Sequence, residues 1–220
     1  MIITIDGPAA SGKSTTAKMV AKKLKMTYLD TGAMYRAVTL ALLRSNTDLD
    51  DYDSVCQVVD ELELDIYDQG SKTVVKLDGE DVSQAIRSMP VTENVSAVSA
   101  VKYVREAMVE IQRNIGKKTN CVVEGRDIGT VVFPDAEFKI FMVADVKMRA
   151  ERRLKEFHEM GENRSLQEVL TDLKRRDEKD STRAHSPLQK ADEAIEIDTS
   201  MLSIDQQVEK IINLVREKNN

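Results

Sequence analysis

Near the start of the chain, the run Gly7-Pro8-Ala9-Ala10-Ser11-Gly12-Lys13-Ser14 sets a glycine, four residues, then glycine, lysine and a hydroxyl. Residues of these types at this spacing suit one chemistry. Successive backbone N–H groups wrap the phosphates of a nucleotide, the lysine reaches the β- and γ-phosphates, and the hydroxyl meets Mg²⁺. Here Lys13 and Ser14 take those two places. A second set of candidates is cationic. Seven of the fourteen arginines lie between Arg149 and Arg183, a stretch with ten Lys and Arg against nine Asp and Glu. On a helix, Arg149, Arg152 and Arg153 stand at i, i+3 and i+4 and share one face. Moving a phosphoryl group needs such residues, because catalysis there is mostly positioning and neutralisation of charge by Lys, Arg and metal. Two anion sites point to transfer between two phosphorylated molecules, whereas hydrolysis needs one site and a positioned water.

A phosphate loop works only between a strand and a helix, and both flanks agree. Ile2, Ile3 and Ile5 form a short β-branched run. After the loop Ala17, Val20, Ala21 and Leu24 recur at helical spacing while Lys18, Lys22 and Lys23 face water. A triphosphate would sit at the positive end of that helix. Along the chain, strands and helices alternate as in a doubly wound α/β sheet: a strand over 27–29, helices through 34–43 and 54–62, one helical pattern over 92–114, a buried strand in Cys121–Gly129 that runs into a loop, and a strand over 138–143. A charged helix follows from Val146, then a break at His158–Arg164 around Gly161 and Asn163, a helix from Leu166, a strand over 194–197 and a final helix over 204–216. Between Glu63 and Arg87 the pattern becomes β-rich, with breaks at Asp68-Gln69-Gly70 and Asp78-Gly79 that read as hairpin turns. Ligands of open α/β sheets bind outside the carboxyl ends of strands. Asp30 and Arg36 follow the second strand, and Arg126 and Asp127 follow Val122-Val123-Glu124.

Composition removes other classes. A net charge of −6 lacks the basic footprint of a general nucleic-acid binder. No apolar run approaches the length needed to span a bilayer and no leader pattern opens the chain, so a cytoplasmic protein is expected. Cys56 and Cys121 are far apart without metal-ligand spacing and read as buried, inert thiols. His158 and His185 fit no metal or triad spacing and read as solvated. Nothing in the pattern demands a subunit interface, so a monomer is expected.

The stretches Ile5–Thr15, Tyr28–Ala37, Val122–Ala136 and Arg175–Leu188 together resemble the bacterial cytidylate kinases, of the nucleoside monophosphate kinase superfamily, over essentially the whole length. The resemblance implies a P-loop kinase of α/β class: a central parallel sheet flanked by helices, a small antiparallel insertion and a helical lid. One domain over 1–220 is expected, with core 1–62, 88–148 and 166–220, a CMP-side insertion at about 63–87 and a lid at about 149–165. The implied reaction is ATP with CMP or dCMP, assisted by Mg²⁺, giving ADP with CDP or dCDP. By the family pattern Gly7–Thr15 (Gly7, Pro8, Ala9, Ala10, Ser11, Gly12, Lys13, Ser14 and Thr15) with Arg152 bind ATP, and Lys13, Arg149 and Arg153 are catalytic. Thr31, Arg36, Arg126 and Arg183 hold the acceptor phosphate, Arg176 and Asp180 the ribose, and Ser96, Arg105 and Asp127 the base; Asp30 orients. Cytosine presents an amino donor beside an N3 acceptor, so a carboxylate and an arginine suit it, and uracil reverses both groups. Two departures stand out: Thr31 where relatives often have Ser, and Ala10 where many have Gly, which would strain the loop if that position needs positive φ. Another small-molecule P-loop kinase remains an alternative. So does a nucleotide-gated switch, although no N-K-x-D guanine motif is present.

Overall fold

The computed structural model describes residues 1–69, 72–159 and 161–219. Gly70 of the expected hairpin break and Met160 of the expected break at His158–Arg164 lie outside the described residues. The chain packs as two compact units, Met1–Tyr28 with Asn120–Asn220, and Leu29–Thr119.

The first unit is organised by a five-stranded sheet in the order β2-β6-β1-β7-β8, formed by β1 (Ile2–Asp6), β2 (Thr27–Asp30, of which Thr27 and Tyr28 fall in this unit), β6 (Cys121–Gly125), β7 (Phe138–Val143) and β8 (Ile195–Asp198). β1 runs parallel to both β6 and β7, with Ile5 beside Glu124 on one side and Ile140 on the other, and β7 runs parallel to β8. Strands covered on both faces lose the alternating pattern, and Cys121–Gly125 is buried throughout. Helix α1 (Lys13–Leu24) returns from β1 and lays Ala17, Val20 and Ala21 against Ile3, Ile5, Val122 and Tyr28, joined by Val208, Ile211 and Val215 of α8 (Ile204–Asn219). Helices α6 (Val146–Glu159) and α7 (Leu166–Thr182) form a charged hairpin, and Ser165 and Glu168 close a reciprocal capping box at the start of α7. Such a box is worth about 1 kcal/mol.

One turn of this unit has no sequence signature. After β6 the chain enters a π-helical turn over Ile128–Val132, where Val131 N–H donates to the Asp127 carbonyl. Its first N–H groups have no partner within the turn. Asp6, at the end of β1, accepts from Ile128 N–H at 2.9 Å and from Gly129 N–H at 2.8 Å.

The second unit holds α2 (Thr31–Arg44), α3 (Tyr52–Glu61), the antiparallel strands β3 (Leu64–Gln69), β4 (Lys72–Leu77) and β5 (Glu80–Asp81), then α4 (Met89–Val98) and α5 (Lys102–Gly116). Asp78 and Gly79, with φ of 52° and 81°, close the tight β4–β5 turn as an Asp-Gly pair should. Ala33, Ala37 and Leu40 of α2 pack on Val75, Leu77, Val82, Ile86 and Val91, which is the core of this unit. The single helical pattern expected over 92–114 is two helices. Val101 takes an extended conformation (φ −66°, ψ 123°), Ser99 Oγ donates to the Ser96 carbonyl and Arg105 reaches back to the Ser99 carbonyl. Val91, Val95, Val98, Val104 and Met108 are buried on both sides of the break, so the apolar period runs through it. Cys121 is buried, and burial pushes its thiol up to about 11; Cys56, expected to be buried, is only half-buried.

Candidate active site

The phosphate loop leaves the carboxyl end of the central strand β1 and ends at α1. Gly7 is there for a spatial reason: with φ at 151°, a Cβ on it would lie 2.1 Å from the Met142 carbonyl oxygen. Ala10, by contrast, has φ of 57°. A methyl-bearing residue therefore occupies the left-handed region the sequence reading named as a source of strain, at a cost of roughly 1 kcal/mol. Gly12 caps α1, no side chain caps it, and the first-turn N–H groups remain for an anion.

Lys13 is 6% exposed and donates to the Pro8 carbonyl at 3.0 Å. Burial lowers its pKa to about 7, with Arg126 and Arg176 acting in the same direction while Glu124 and Asp180 oppose them. An anion beside it would favour the charged form of this lysine. Ser14 is exposed, and its hydroxyl donates to Glu124 Oε2 at 2.7 Å; Glu124 Oε1 accepts from Tyr28 at 2.5 Å. Asp6 sits 5% exposed beneath the loop, and burial raises its pKa to about 6 against two backbone donors. Thr15 is exposed.

The loop is braced by residues far away in sequence. Thr199 Oγ1 lies 2.8 Å from the Ser11 carbonyl, and Thr16 Oγ1 donates to Gln207 Oε1 at 2.7 Å. Of the three arginines on α6, Arg149 donates to the Ala9 carbonyl at 3.2 Å, the Ala144 carbonyl at 3.1 Å and Asp177 at 2.7 Å. Arg152 reaches the carbonyls of Ser11 and Thr199 at 3.4 and 2.6 Å. Arg153, expected on the same face, turns away. It pairs with Glu156 at 2.7 Å and lies 4.7 Å over the Phe157 ring, which Arg164 also covers.

Beside the loop the first unit gathers a second set of charges. Arg126 donates to Asp180 at 3.0 Å, and Arg183 meets Asp127 at 3.4 Å with both side chains almost fully buried. Burial would raise the Asp180 pKa, but Arg126 and Arg176 prevail and hold it below the ordinary carboxylate range. Lys13, Arg126, Arg176, Arg183, Asp127 and Asp180 thus come together within one unit. The other expected acceptor residues lie in the second unit. Asp30 caps α2 by accepting from Ala33 N–H at 2.9 Å, and Thr31 is buried in the first turn. Arg36 donates to Thr92 Oγ1 at 3.1 Å. Arg105 is buried, its guanidinium 5.4 Å over the Tyr35 ring, and Ser96 is half-buried on α4. His158 and His185 are exposed.

The sequence reading did not single out Asp6, Tyr28, Glu124, Asp177, Thr199 or Gln207. For Glu124 there was a signal: a lone acid closing the apolar run Cys121-Val122-Val123.

A parallel sheet whose central strand feeds a lysine-bearing phosphate loop, with ion-paired, largely covered arginines in the same unit, defines a P-loop kinase. The fold agrees with that of shikimate kinase from Bacteroides thetaiotaomicron, with a TM-score of 0.50 at 12% identity over 98% of each chain. The chain belongs to the cytidylate kinase family, whose profile, described as Cytidylate kinase, matches residues 3–217. It is 50% identical over 218 residues to the cytidylate kinase of Fusobacterium nucleatum, covering 99% of this chain and 96% of that protein. It is 47% identical to the cytidylate kinase of Lactobacillus johnsonii, covering 99% and 95%. Among the described residues no helix is long and apolar enough to cross a membrane.

Proposed function

We propose that this enzyme transfers the γ-phosphoryl group of ATP to CMP or dCMP, giving ADP and CDP or dCDP. The observation that carries this reading is the juxtaposition in the first unit of Lys13, on the phosphate loop, with the half-buried Arg126–Asp180 pair and the almost fully buried Arg183–Asp127 pair. A loop for one phosphorylated molecule stands beside cations suited to a second.

In this reading Gly7–Thr15 and Arg152 hold ATP, and Lys13 and Arg149 neutralise charge on the moving group; Arg153 joins them only by leaving Glu156, its partner here. An acceptor phosphate oxygen attacks the γ-phosphorus, the bond to the β–γ bridging oxygen breaks and ADP leaves. The acceptor phosphate is already anionic, so no carboxylate need act as base. Asp30 and Asp127 orient. Arg126 and Arg183, with Thr31 and Arg36 of the second unit, are assigned to the acceptor phosphate. Arg176 and Asp180 are assigned to the ribose, and Ser96, Arg105 and Asp127 to the base. Residues 149–165 form the lid of a single domain, and 63–87 its acceptor-side insertion.

The donors at the loop fit Mg²⁺. Ser14 Oγ and the carboxylate of Glu124 behind it are hard oxygens, and a magnesium ion carried on phosphates and waters needs no all-protein cage. When bound it would spread the charge of the transferring phosphate. Work inside the cell as a monomer completes the proposal.

The test is an ADP-release assay with ATP and Mg²⁺ against CMP, dCMP, UMP, AMP and shikimate. Strong turnover of CMP and dCMP with weak UMP is expected, and Asp127→Asn should raise KM for CMP about tenfold or more with a smaller change in kcat. ATP binding without turnover of any acceptor would overturn the assignment.

A further inference from the structure

Most of the buried charged side chains of the first unit have a place in the proposed reaction. Tyr28 has none. It stands on β2, 7% exposed, among Ala17, Val20, Val122 and Ile211. A tyrosine in apolar surroundings needs a partner for its hydroxyl. Its partner is Glu124 Oε1 at 2.5 Å, on the adjacent strand β6, and the other oxygen of the same carboxylate accepts from Ser14 Oγ at 2.7 Å. Three side chains from β2, β6 and α1 thus form one line of hydrogen bonds, which ends at the exposed first turn of the phosphate-loop helix.

We propose that Tyr28 is a positioning residue for the cation-facing hydroxyl of Ser14, acting through Glu124. This rests on the reading that Ser14 meets the magnesium of ATP. A serine hydroxyl has one proton and two lone pairs, so it offers a lone pair to a cation only while its proton points elsewhere. Glu124 Oε2 takes that proton as acceptor. The last torsion of a glutamate is broad, so one bonded oxygen does not fix the plane of the carboxylate. The second bond does. Tyr28 is suited to provide it: its ring has only two torsions and is locked in packed core, and a phenol-to-carboxylate bond is short and charge-assisted. Through Glu124 the rigidity of the core is passed to a hydroxyl at the surface. The same carboxylate opposes the effect of burial on Lys13, so its placement bears on both loop residues that face phosphate. A phenylalanine at position 28 would keep the packing and remove one donor from Glu124. The carboxylate could then turn, and the Ser14 proton with it.

The test compares wild type, Tyr28→Phe, Glu124→Gln and the double variant. ATP binding is measured by calorimetry in EDTA and across a Mg²⁺ titration, with thermal melting as the control for folding. We expect Tyr28→Phe to leave metal-free ATP affinity within about twofold and to raise the half-saturating Mg²⁺ concentration about tenfold, the size expected of an outer-shell partner. The double variant should be no worse than Glu124→Gln, because both changes break one line. An unchanged Mg²⁺ requirement in Tyr28→Phe would overturn the proposal, as would full additivity in the double variant. If Tyr28→Phe does not fold, Glu124→Asp retracts the carboxylate from Tyr28 without disturbing its packing and should raise the Mg²⁺ requirement in the same way; no rise would overturn the proposal. The readout needs no acceptor. Failure of CMP phosphorylation with an intact Tyr28 effect would therefore count against the proposed reaction and leave this inference standing.

Discussion

The phosphate loop and the arginine-rich hairpin belong to the same unit and are held by different forces. Around the loop, Asp6, Ala9, Ser11 and Lys13 are each at most 7% exposed, and distant residues grip its backbone: Thr199 and Arg152 at the Ser11 carbonyl, Arg149 at the Ala9 carbonyl. Along α6 and α7, only Arg149, Ala150, Phe157, Val169, Leu173 and Asp180 are buried. Apart from Arg149–Asp177 and Arg126–Asp180, the ion pairs there are partly exposed, such as Arg164–Asp172 and Arg175–Asp172, each worth about 0–1 kcal/mol. Sites that must keep phosphate oxygens in place need the first construction. A lid such as the one proposed for residues 149–165 needs the second, since regions with few buried contacts open at low cost. The arginines divide accordingly: Arg149 and Arg152, near the start of α6, join the loop, whereas Arg153 and Arg164 stack on Phe157.

The largest expected effect comes from the loop. Lys13→Met should lower kcat about a thousandfold, as removal of a preorganised charge donor does, without loss of fold. Stability should move the other way. The folded-state pKa of Lys13 is about 7 against an ordinary 10.5. Between those values the native state holds fewer protons than the unfolded chain, so wild-type stability rises with pH across the window, by at most about 1.4 kcal/mol per pH unit. The variant has no such slope. Its melting temperature should exceed that of wild type below pH 7, with the gap closing toward pH 10.5. Parallel curves over that range would mean that Lys13 is not under electrostatic load, and the contrast with the solvated hairpin would lose its main support.

How far this contrast could be read from the sequence depends on whether the partners are local. The loop, the strand over 138–143 and the arginine cluster were legible because each is a local pattern: fixed spacing, an apolar run, a helical face. The braces were not. Thr16 and Gln207 are 191 positions apart, and Ser14 and Glu124 are 110 apart. Local spacing says nothing about such pairs. The break between α4 and α5 was missed for a different reason: Ser99-Ala100-Val101 contains neither Gly nor Pro, and the apolar period continues across it. Arg153 shows the limit of face arguments. Helical spacing placed it beside Arg149, but a guanidinium on a long stem also answers to a nearby carboxylate and ring, and Glu156 with Phe157 took it.

A middle-sized effect would test whether the hairpin opens by itself. Phe157 is 5% exposed. In a continuous core, Phe→Ala would cost about 3–5 kcal/mol of global stability. If α6 and α7 open as a separate cooperative unit, much of that loss stays local. Phe157→Ala should then speed amide exchange over residues 150–175 at least tenfold, leave β1 and β6 protected as before, and lower kcat/KM about tenfold. Equal acceleration in β1 and β6 would show that hairpin and loop form one cooperative block, and the distinction drawn here would fail.

The smallest effect concerns the one place where the loop itself is strained. Ala10 has φ of 57°, a region that costs a residue with a Cβ roughly 1 kcal/mol and glycine almost nothing. Ala10→Gly removes that cost but loosens the unfolded chain, which returns about 0.4–1 kcal/mol. The balance is a gain between zero and about 0.5 kcal/mol, or at most about 2 °C in melting temperature for a chain of this length. If the bracing by Thr199, Gln207 and the α6 arginines holds the backbone at this φ whether or not nucleotide is bound, the strain is common to both states and cancels in binding. ATP affinity should therefore stay within about twofold in calorimetry. A larger rise in affinity would mean that nucleotide pushes the loop further into the strained region, and that it is less rigid than its burial implies. A marked loss of stability would mean that the Ala10 methyl contributes packing that outweighs its backbone cost.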